Sequence, residues 1–303
     1  MKKALVIGSE GNIGMPLVKY LKSIGYEVLE ADIRSGWREN YIMVDINHPI
    51  DLMDAFDWKP DVVFMLSAIV SRVTCEQASG LSVATNLAGL NNIIQMTKRV
   101  GAMFVYFSTS EVYGPDIEFM DEETSVPNPN NRYGLSKLLG EKLVEYEVIQ
   151  HKMRAVTLRP FMMYDENEDW GDHRSAMIRF AVNLATGKSI EIHRGSARAW
   201  LHVSDAVRAI EAAAHVDNYN IINIGHHDVV PIYDLAEMIR KILGASKDLL
   251  IVNDLPERMT LIKKPNTKRM NELLGIRPSL DLSEGVKLVC EKVVEKIKNG
   301  SLK

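Results

Sequence analysis

The feature that most restricts the fold is a glycine-spaced turn near the start of the chain. A short β-branched run, residues 4–7, leads directly into Gly8-Ser-Glu-Gly11-Asn12-Ile13-Gly14, and a helical stretch at 16–24 follows. A second strand candidate, 27–31, ends at Asp32, 18 positions after Gly14. Glycines at a strand-to-helix turn let backbone approach a pyrophosphate closely, and the helix N-terminus faces it with N–H donors and a positive dipole end. An acidic residue at the end of the second strand accepts hydrogen bonds from ribose hydroxyls and repels a 2′-phosphate, so Asp32 points to NAD rather than NADP. Arg34 is placed to cover an adenine or meet a phosphate. Gly8, Gly11, Asn12, Ile13, Gly14, Asp32 and Arg34 are therefore the first cofactor-binding candidates.

The alternation continues. Strand candidates at 42–44, 62–66, 104–107 and 156–158 are interleaved with helices predicted at 81–100 and 133–150. Strands alternating with helices predict an α/β fold, a doubly wound parallel sheet of the Rossmann-like kind with helices on both faces. After Pro160 the pattern loosens into short elements near 190–193 and 221–224, with helices at 232–243 and 282–297, while the acidic stretches 116–123 and 165–172 read as loops. Two lobes are expected: residues 1–160 bind the dinucleotide, and 161–303 form a smaller mixed α/β lobe for substrate. The segment around 200–225 is a candidate to return to the first lobe.

Composition narrows the class of function. With 36 Lys+Arg against 40 Asp+Glu the net charge is -4, which argues against nucleic acid or an anionic membrane as partner. Cys75 and Cys290 stand far apart and suit a reducing compartment better than a disulfide framework. The opening MKKALVIG is too soon broken by Ser9 and Glu10 to be a secretory signal, and the run 62–70 is too short to span a bilayer. A soluble cytoplasmic protein is expected.

A second constellation carries chemistry. Tyr133 and Lys137 lie four apart, on one face of a predicted helix. An ammonium beside a phenol favours phenolate and makes Tyr133 able to remove a hydroxyl proton. This pair follows a strand that ends in Phe107-Ser-Thr109-Ser110-Glu111-Val-Tyr-Gly114, which offers hydroxyls for the same task.

The GxxGxxG spacing, the hydroxyl loop and YxxxK, in this order, resemble the extended branch of the short-chain dehydrogenase/reductases, the NAD-dependent epimerase/dehydratase family that modifies nucleotide sugars. The resemblance runs from residue 2 to about 285. It implies that Asp45 and Ile46 line the adenine, that Leu66 and Ala68 line the cofactor, and that Asn86 is the asparagine of the central helix. It further implies that Thr109 shares the substrate hydroxyl with Tyr133, that Lys137 also bonds the nicotinamide ribose, and that hydride passes from a secondary alcohol to NAD. Arg198, in Arg198-Ala-Trp-Leu-His202-Val-Ser-Asp205, and Arg258 resemble the family's diphosphate-binding arginines, so the expected substrate is a nucleotide-diphosphate sugar. His202 and Asp205 are read as structural, Asp205 as a helix N-cap.

The reaction that follows oxidation is less determined. The 4,6-dehydratases carry Asp-Glu where this chain has Ser110-Glu111, and a serine is a poor acid for expelling a hydroxyl. UDP-glucuronate decarboxylases share the Ser-Glu pair, and the PNPNNRYGLSK segment resembles the 4-epimerases. Met162 and Asp165 replace an asparagine and a glycine of the family pattern. Cys75, in the loop after the strand 62–66, is a candidate substrate contact, with a small buried thiol as its plainer reading. The expectation is an epimerase acting through a transient 4-keto sugar. The alternatives are a dehydratase, decarboxylase or 4-dehydrogenase, a reductase of larger alcohols, or, in another class, an NAD-binding sensor or scaffold without turnover. His226-His227-Asp228 lacks a further spaced ligand, so no metal is expected. The two long helices resemble those of the family's four-helix dimer interface, which implies a homodimer.

Overall fold

The computed structural model describes residues 1–301 except 71, 172–173 and 257–258. Seven parallel strands form the main sheet: β1 (Lys3–Ile7), β2 (Glu27–Asp32), β3 (Tyr41–Met43), β4 (Val62–Met65), β5 (Met103–Phe107), β6 (Ala155–Pro160) and β7 (Ile221–Ile224). Their spatial order is β7-β6-β5-β4-β1-β2-β3. The order reverses between β1 and β4, and in open α/β sheets ligands bind outside the carboxyl ends of the strands at such a switch point.

Period-two alternation places the strand side chains in two separate cores. Ala4 and Val6 face one side with Leu17, Leu21 and the helix Val203–Ala213. Leu5 and Ile7 face the other with Phe56, Ile93 and Val144. Strands buried on both faces read as continuous apolar runs, as β4 and β5 do. The helix α1 (Gly14–Ser23) lies on the first face; α2 (Leu90–Val100) and α3 (Arg132–His151) cover the second.

A third core joins the helices Ala176–Ala185, Ile232–Leu243 and Leu282–Lys298 around Trp200 and Tyr164. From within this region the chain returns to the main sheet: Ile221–Ile224 pairs with residues 157–160 of β6.

Two local expectations differ from the structure. The helical run leading to residue 100 is not uniform: Ala84–Gly89 forms a π-helical turn between Ser79–Val83 and α2. A Cβ on Gly89 would stand 2.7 Å from Ile46 Cγ1, so the wide turn and a glycine together let the Ile46 loop dock. The acidic stretch 116–123 is not all loop, because Phe119–Met120 pairs with Lys264–Pro265.

Candidate active site

The glycine turn is set by sterics. Gly8 has φ +89°, and a Cβ there would meet Ser67 N at 2.8 Å. A Cβ on Gly14 would fall 2.1 Å from Gly8 O, so α1 presses directly on the end of β1. Gly11 is merely tight, with its Cβ position 3.3 Å from Gly8 O. α1 begins after Ile13, with no side-chain cap and no acidic residue in its first turn. In this first turn Met15 N donates to Gly11 O at 3.0 Å and Pro16 carries no N–H, so the end of α1 is free of any capping side chain. The Ser9 hydroxyl is buried beside it with no partner.

Asp32 ends β2 against this turn. Its carboxylate accepts from Glu10 N (3.0 Å) and from Arg34 N (3.1 Å), while the Arg34 guanidinium donates to Glu10 O (2.9 Å). Asp45 is tied into its loop by Asn47 N and Nδ2, both at 2.9 Å, and Ile46 is buried. Leu66 N and Ser67 N both donate to Ile7 O, at 2.9 and 3.1 Å, which closes the switch point between β1 and β4. Half-buried Ala68 continues this lining. A cradle that a side chain would fill, an uncapped helix end and a carboxylate on the neighbouring strand fit a dinucleotide with an unphosphorylated ribose.

Asn86 joins the segment after β4 to α3. Its Oδ1 accepts from Ile69 N (2.8 Å), and its Nδ2 donates to Ile69 O (3.1 Å) and Ser136 Oγ (3.0 Å). The Ser136 hydroxyl donates to Tyr133 O (2.8 Å). The Thr109 side chain lies close to the Tyr133 phenol. Burial pushes the Tyr133 phenol up; Thr109 opposes this, while Glu111 and Cys75 add to it. Lys137, one turn further along α3, is itself desolvated. Burial brings its ammonium down to about 7 against the pull of Glu141. The Lys137 Nζ stands 4.4 Å from the centre of the Tyr106 ring.

Thr109, Ser110 and Glu111 follow β5 directly. Thr109 Oγ1 caps the short turn Ser110–Tyr113 by accepting from Glu111 N at 3.2 Å, and Ser110 is buried within it. Glu111 is ion-paired with Lys263 on the strand Ile262–Pro265; Arg72 lies 3.9 Å away, and Asn131 Nδ2 donates to it at 3.1 Å. Burial pushes the Glu111 carboxyl up, but Lys263, Arg72 and Asn131 outweigh this and hold it below the usual carboxylate range. Lys263 is 5% exposed and was not singled out by sequence reasoning, since no spacing links residues 152 apart.

Arg198, expected from the sequence to contact a diphosphate, is buried. Its guanidinium donates to the carbonyls of Ala197, Leu261 and Thr260, each at 2.8 Å, and it senses the charges of Glu111 and Arg72. Arg258 lies outside the described residues. Met162 is half-buried in a short strand paired with Trp200. Cys75 is fully buried, donates to Ile69 O at 3.4 Å, and has its thiol pushed up by burial. It belongs to the same knot as Asn86 and lies near enough to Tyr133 to affect its charge.

The N-cap expected at Asp205 is instead His202, whose Nδ1 accepts from Ser204 N at 3.2 Å. Asp205 falls one turn later and receives Ser279 N (2.8 Å), Ser279 Oγ (2.7 Å) and Leu280 N (3.2 Å), so it fastens the segment before the last long helix. His226, His227 and Asp228 do cluster, but His226 Nδ1 accepts from Asp228 N at 3.0 Å, which leaves the ring proton on Nε2.

A doubly wound sheet with a dinucleotide cradle at its switch point and a Thr–Tyr–Lys group on the adjacent strand end and helix is the framework of a dinucleotide-dependent oxidoreductase. Comparison with known proteins makes the class specific. The chain belongs to the NAD dependent epimerase/dehydratase family, whose sequence profile matches residues 4–225. It is 26% identical over 303 residues to UDP-glucuronic acid decarboxylase 6 of Arabidopsis thaliana, covering 95% of this chain and 88% of that one. It is 26% identical over 313 residues to UDP-N-acetyl-alpha-D-glucosaminuronate decarboxylase of Bacillus cytotoxicus, covering 94% and 96%. Among solved structures, UDP-glucose 4-epimerase of Thermotoga maritima superposes with a TM-score of 0.90 at 24% identity, covering 97% of this chain and 99% of that one. No described helix is long and apolar enough to cross a membrane.

Proposed function

We propose that the protein is an NAD-dependent nucleotide-diphosphate-sugar epimerase that works through a transient 4-keto sugar. The observation that carries this reading is the placement of Thr109, just past the carboxyl end of β5, close enough to lower the phenol of Tyr133 on the helix that also buries Lys137. Tyr133, relayed through Thr109, takes the proton of the sugar 4-hydroxyl and later returns it. Bound NAD⁺ supplies a hydride acceptor and then a donor, so no net oxidation results. The residues of the glycine turn, Asp32, Asp45, Ile46, Leu66 and Ala68 hold that cofactor, and Arg198 and Arg258 meet the diphosphate. The lobe beyond residue 160 supplies the sugar side of the cleft, with half-buried Met162 toward the ring, while Cys75, fully buried in the first lobe, has the plainer role of a small buried thiol. Incubation with UDP-glucose, UDP-galactose and their N-acetylated and uronic acid counterparts, followed by proton NMR, tests this reading. Interconversion of 4-epimers that is lost in Tyr133→Phe, with NAD still bound, is expected; turnover retained in that variant overturns the assignment.

A second reading, decarboxylation of a uronic acid, is favoured by Glu111 held between Lys263 and Arg72 and by the names of the curated relatives. Oxidation at C4 places a carbonyl β to a C6 carboxylate, and release of carbon dioxide from UDP-glucuronate distinguishes this outcome.

We infer a homodimer in the cytoplasm. Leu135, Leu139, Tyr146 and Ile149 are exposed along one stripe of α3, an apolar face of the kind two copies bury. Both cysteines are free, as a reducing compartment requires. Light scattering of wild type against Leu139→Arg should give a dimeric and a monomeric mass; a monomeric wild type refutes the dimer.

A further inference from the structure

Below the catalytic pair, one further turn along α3, lies a buried charge network that the proton transfer does not use. Tyr133, Lys137 and Glu141 are spaced i, i+4 and i+8, so they share one helix face. Lys137 is 3% exposed and Glu141 2%. The Glu141 carboxylate is clasped by Arg159, which donates from Nε at 2.9 Å and Nη2 at 2.7 Å, and by Ser108 Oγ at 2.5 Å. Arg159 comes from β6 and Ser108 from the end of β5, immediately before Thr109. The Arg159 guanidinium also stacks 4.7 Å from the Tyr113 ring centre, and Tyr113 is anchored by donating to Asn223 Oδ1 at 2.8 Å.

Two features of this network are electrostatic. Among the described residues Glu141 is the one carboxylate acting on Lys137, and that carboxylate is bidentately paired to a different cation. The other titratable groups around it are the Tyr106 phenol from β5, which burial pushes well up, and Tyr133 on its own helix, also pushed up. Tyr219, bonded to Thr157, is near Tyr106 and is likewise raised by burial. All three phenols are neutral near pH 7, so the charge state of Lys137 depends on desolvation against whatever field Glu141 has left after Arg159 and Ser108.

We propose that Glu141 is a positioning residue for the catalytic pair, whose carboxylate keeps the buried Lys137 ammonium charged, and that Arg159 and Ser108 set how much of that field Lys137 feels. This inference rests on the reading of Tyr133 and Lys137 as the catalytic pair. It assigns a function to an ion pair that would otherwise read as a brace between helix and sheet. With Glu141 unclasped, Lys137 would hold its proton too firmly to lie near neutrality. With Glu141 neutral, desolvation alone would strip the ammonium and leave the phenolate unsupported. Poise near 7 is the direction in which the two opposing contributions leave it.

The test is a pH titration of the full chain carrying [ε-13C]lysine, with the Lys137 resonance identified by its loss in Lys137→Met. Wild type should titrate near neutrality, far below the surface lysines. Glu141→Gln should lower the Lys137 midpoint by about one pH unit or more, the size expected for removing a nearby opposite charge. Ser108→Ala, which removes one of the two donors on Glu141 Oε1 while sparing the Arg159 pair, should raise it. The alkaline limb of sugar-dependent NAD reduction should move with each midpoint. If Glu141→Gln does not fold, Ser108→Ala decides the matter, since a brace would lose stability without moving the Lys137 midpoint. A midpoint unchanged in Ser108→Ala, or a wild-type midpoint near that of surface lysines, overturns the proposal. A shifted midpoint in a protein that turns over no nucleotide sugar would sustain the coupling and refute the proposed function instead.

Discussion

Asn86→Ala is a direct probe of how the segment after β4 is joined to α3. Asn86 is 3% exposed, and its amide makes two hydrogen bonds to the Ile69 backbone and one to Ser136 Oγ. Each such bond contributes about 1 kcal/mol net, and a buried group left without a partner costs about 1–3 kcal/mol. Ser136 retains a bond to Tyr133 O, and Ile69 is half-buried and within reach of water, so the orphan cost falls toward the lower end. The expected loss is about 2–4 kcal/mol, or roughly 3–6 °C in Tm for a chain of this size. Ser136→Ala removes one of the same bonds and should cost about 1 kcal/mol. Because that bond is shared, the two losses should be less than additive, by about 0.5–1 kcal/mol in a double-mutant cycle. Urea or thermal unfolding measures all three variants. A Tm within about 2 °C of wild type for Asn86→Ala, or strict additivity with Ser136→Ala, would refute the idea that this amide is the joint.

Three further outcomes follow from the same structure. Gly14→Ala sets a methyl 2.1 Å from Gly8 O, a backbone atom that cannot yield without moving α1, so NAD affinity should fall at least tenfold by calorimetry while the chain loses about 1–3 kcal/mol. Lys263→Met leaves part-buried Glu111 without its main counter-charge, with Arg72 still 3.9 Å away, and should cost about 1–3 kcal/mol at pH 7, with part of that restored by adding Glu111→Gln; denaturation of the single and double variants checks it. At Asp121, burial raises the carboxyl but Asn266, Thr124 and Glu123 N–H and O–H donors outweigh it and hold it at about 2. Its folded value lies below the unfolded value of about 3.9, so its contribution is complete above that value and is lost as pH falls toward 2. Asp121→Asn should therefore flatten the stability profile between about pH 4 and 2 in acid titrations followed by circular dichroism.

Much of the site was legible in the sequence because its parts are local. A glycine turn between a strand and a helix has steric meaning within seven residues, and Gly8 and Gly14 confirm it with a positive φ and a 2.1 Å approach. Tyr133 and Lys137 are brought onto one face by helical pitch alone. Asp205 shows the limit of such reasoning: a carboxylate near a helix start is an N-cap by pattern, yet His202 occupies that position and Asp205 serves the distant Ser279. The π turn at Ala84–Gly89 was illegible for a similar reason, since what favours it is the docking of Ile46 from another loop.

The sequence by itself determined the doubly wound class, the steric shape of the glycine turn and the sharing of one helix face by Tyr133 and Lys137, because periodicity, glycine sterics and i, i+4 spacing act over a few residues. Tertiary structure decided the charges. Lys263 reaches Glu111 across 152 positions, and Arg159 reaches Glu141 across 18 from a neighbouring strand. Whether Lys137 and Tyr133 carry a proton depends on burial and on the charges facing them, and burial exists only once the sheet, α3 and the strand Ile262–Pro265 have closed around them.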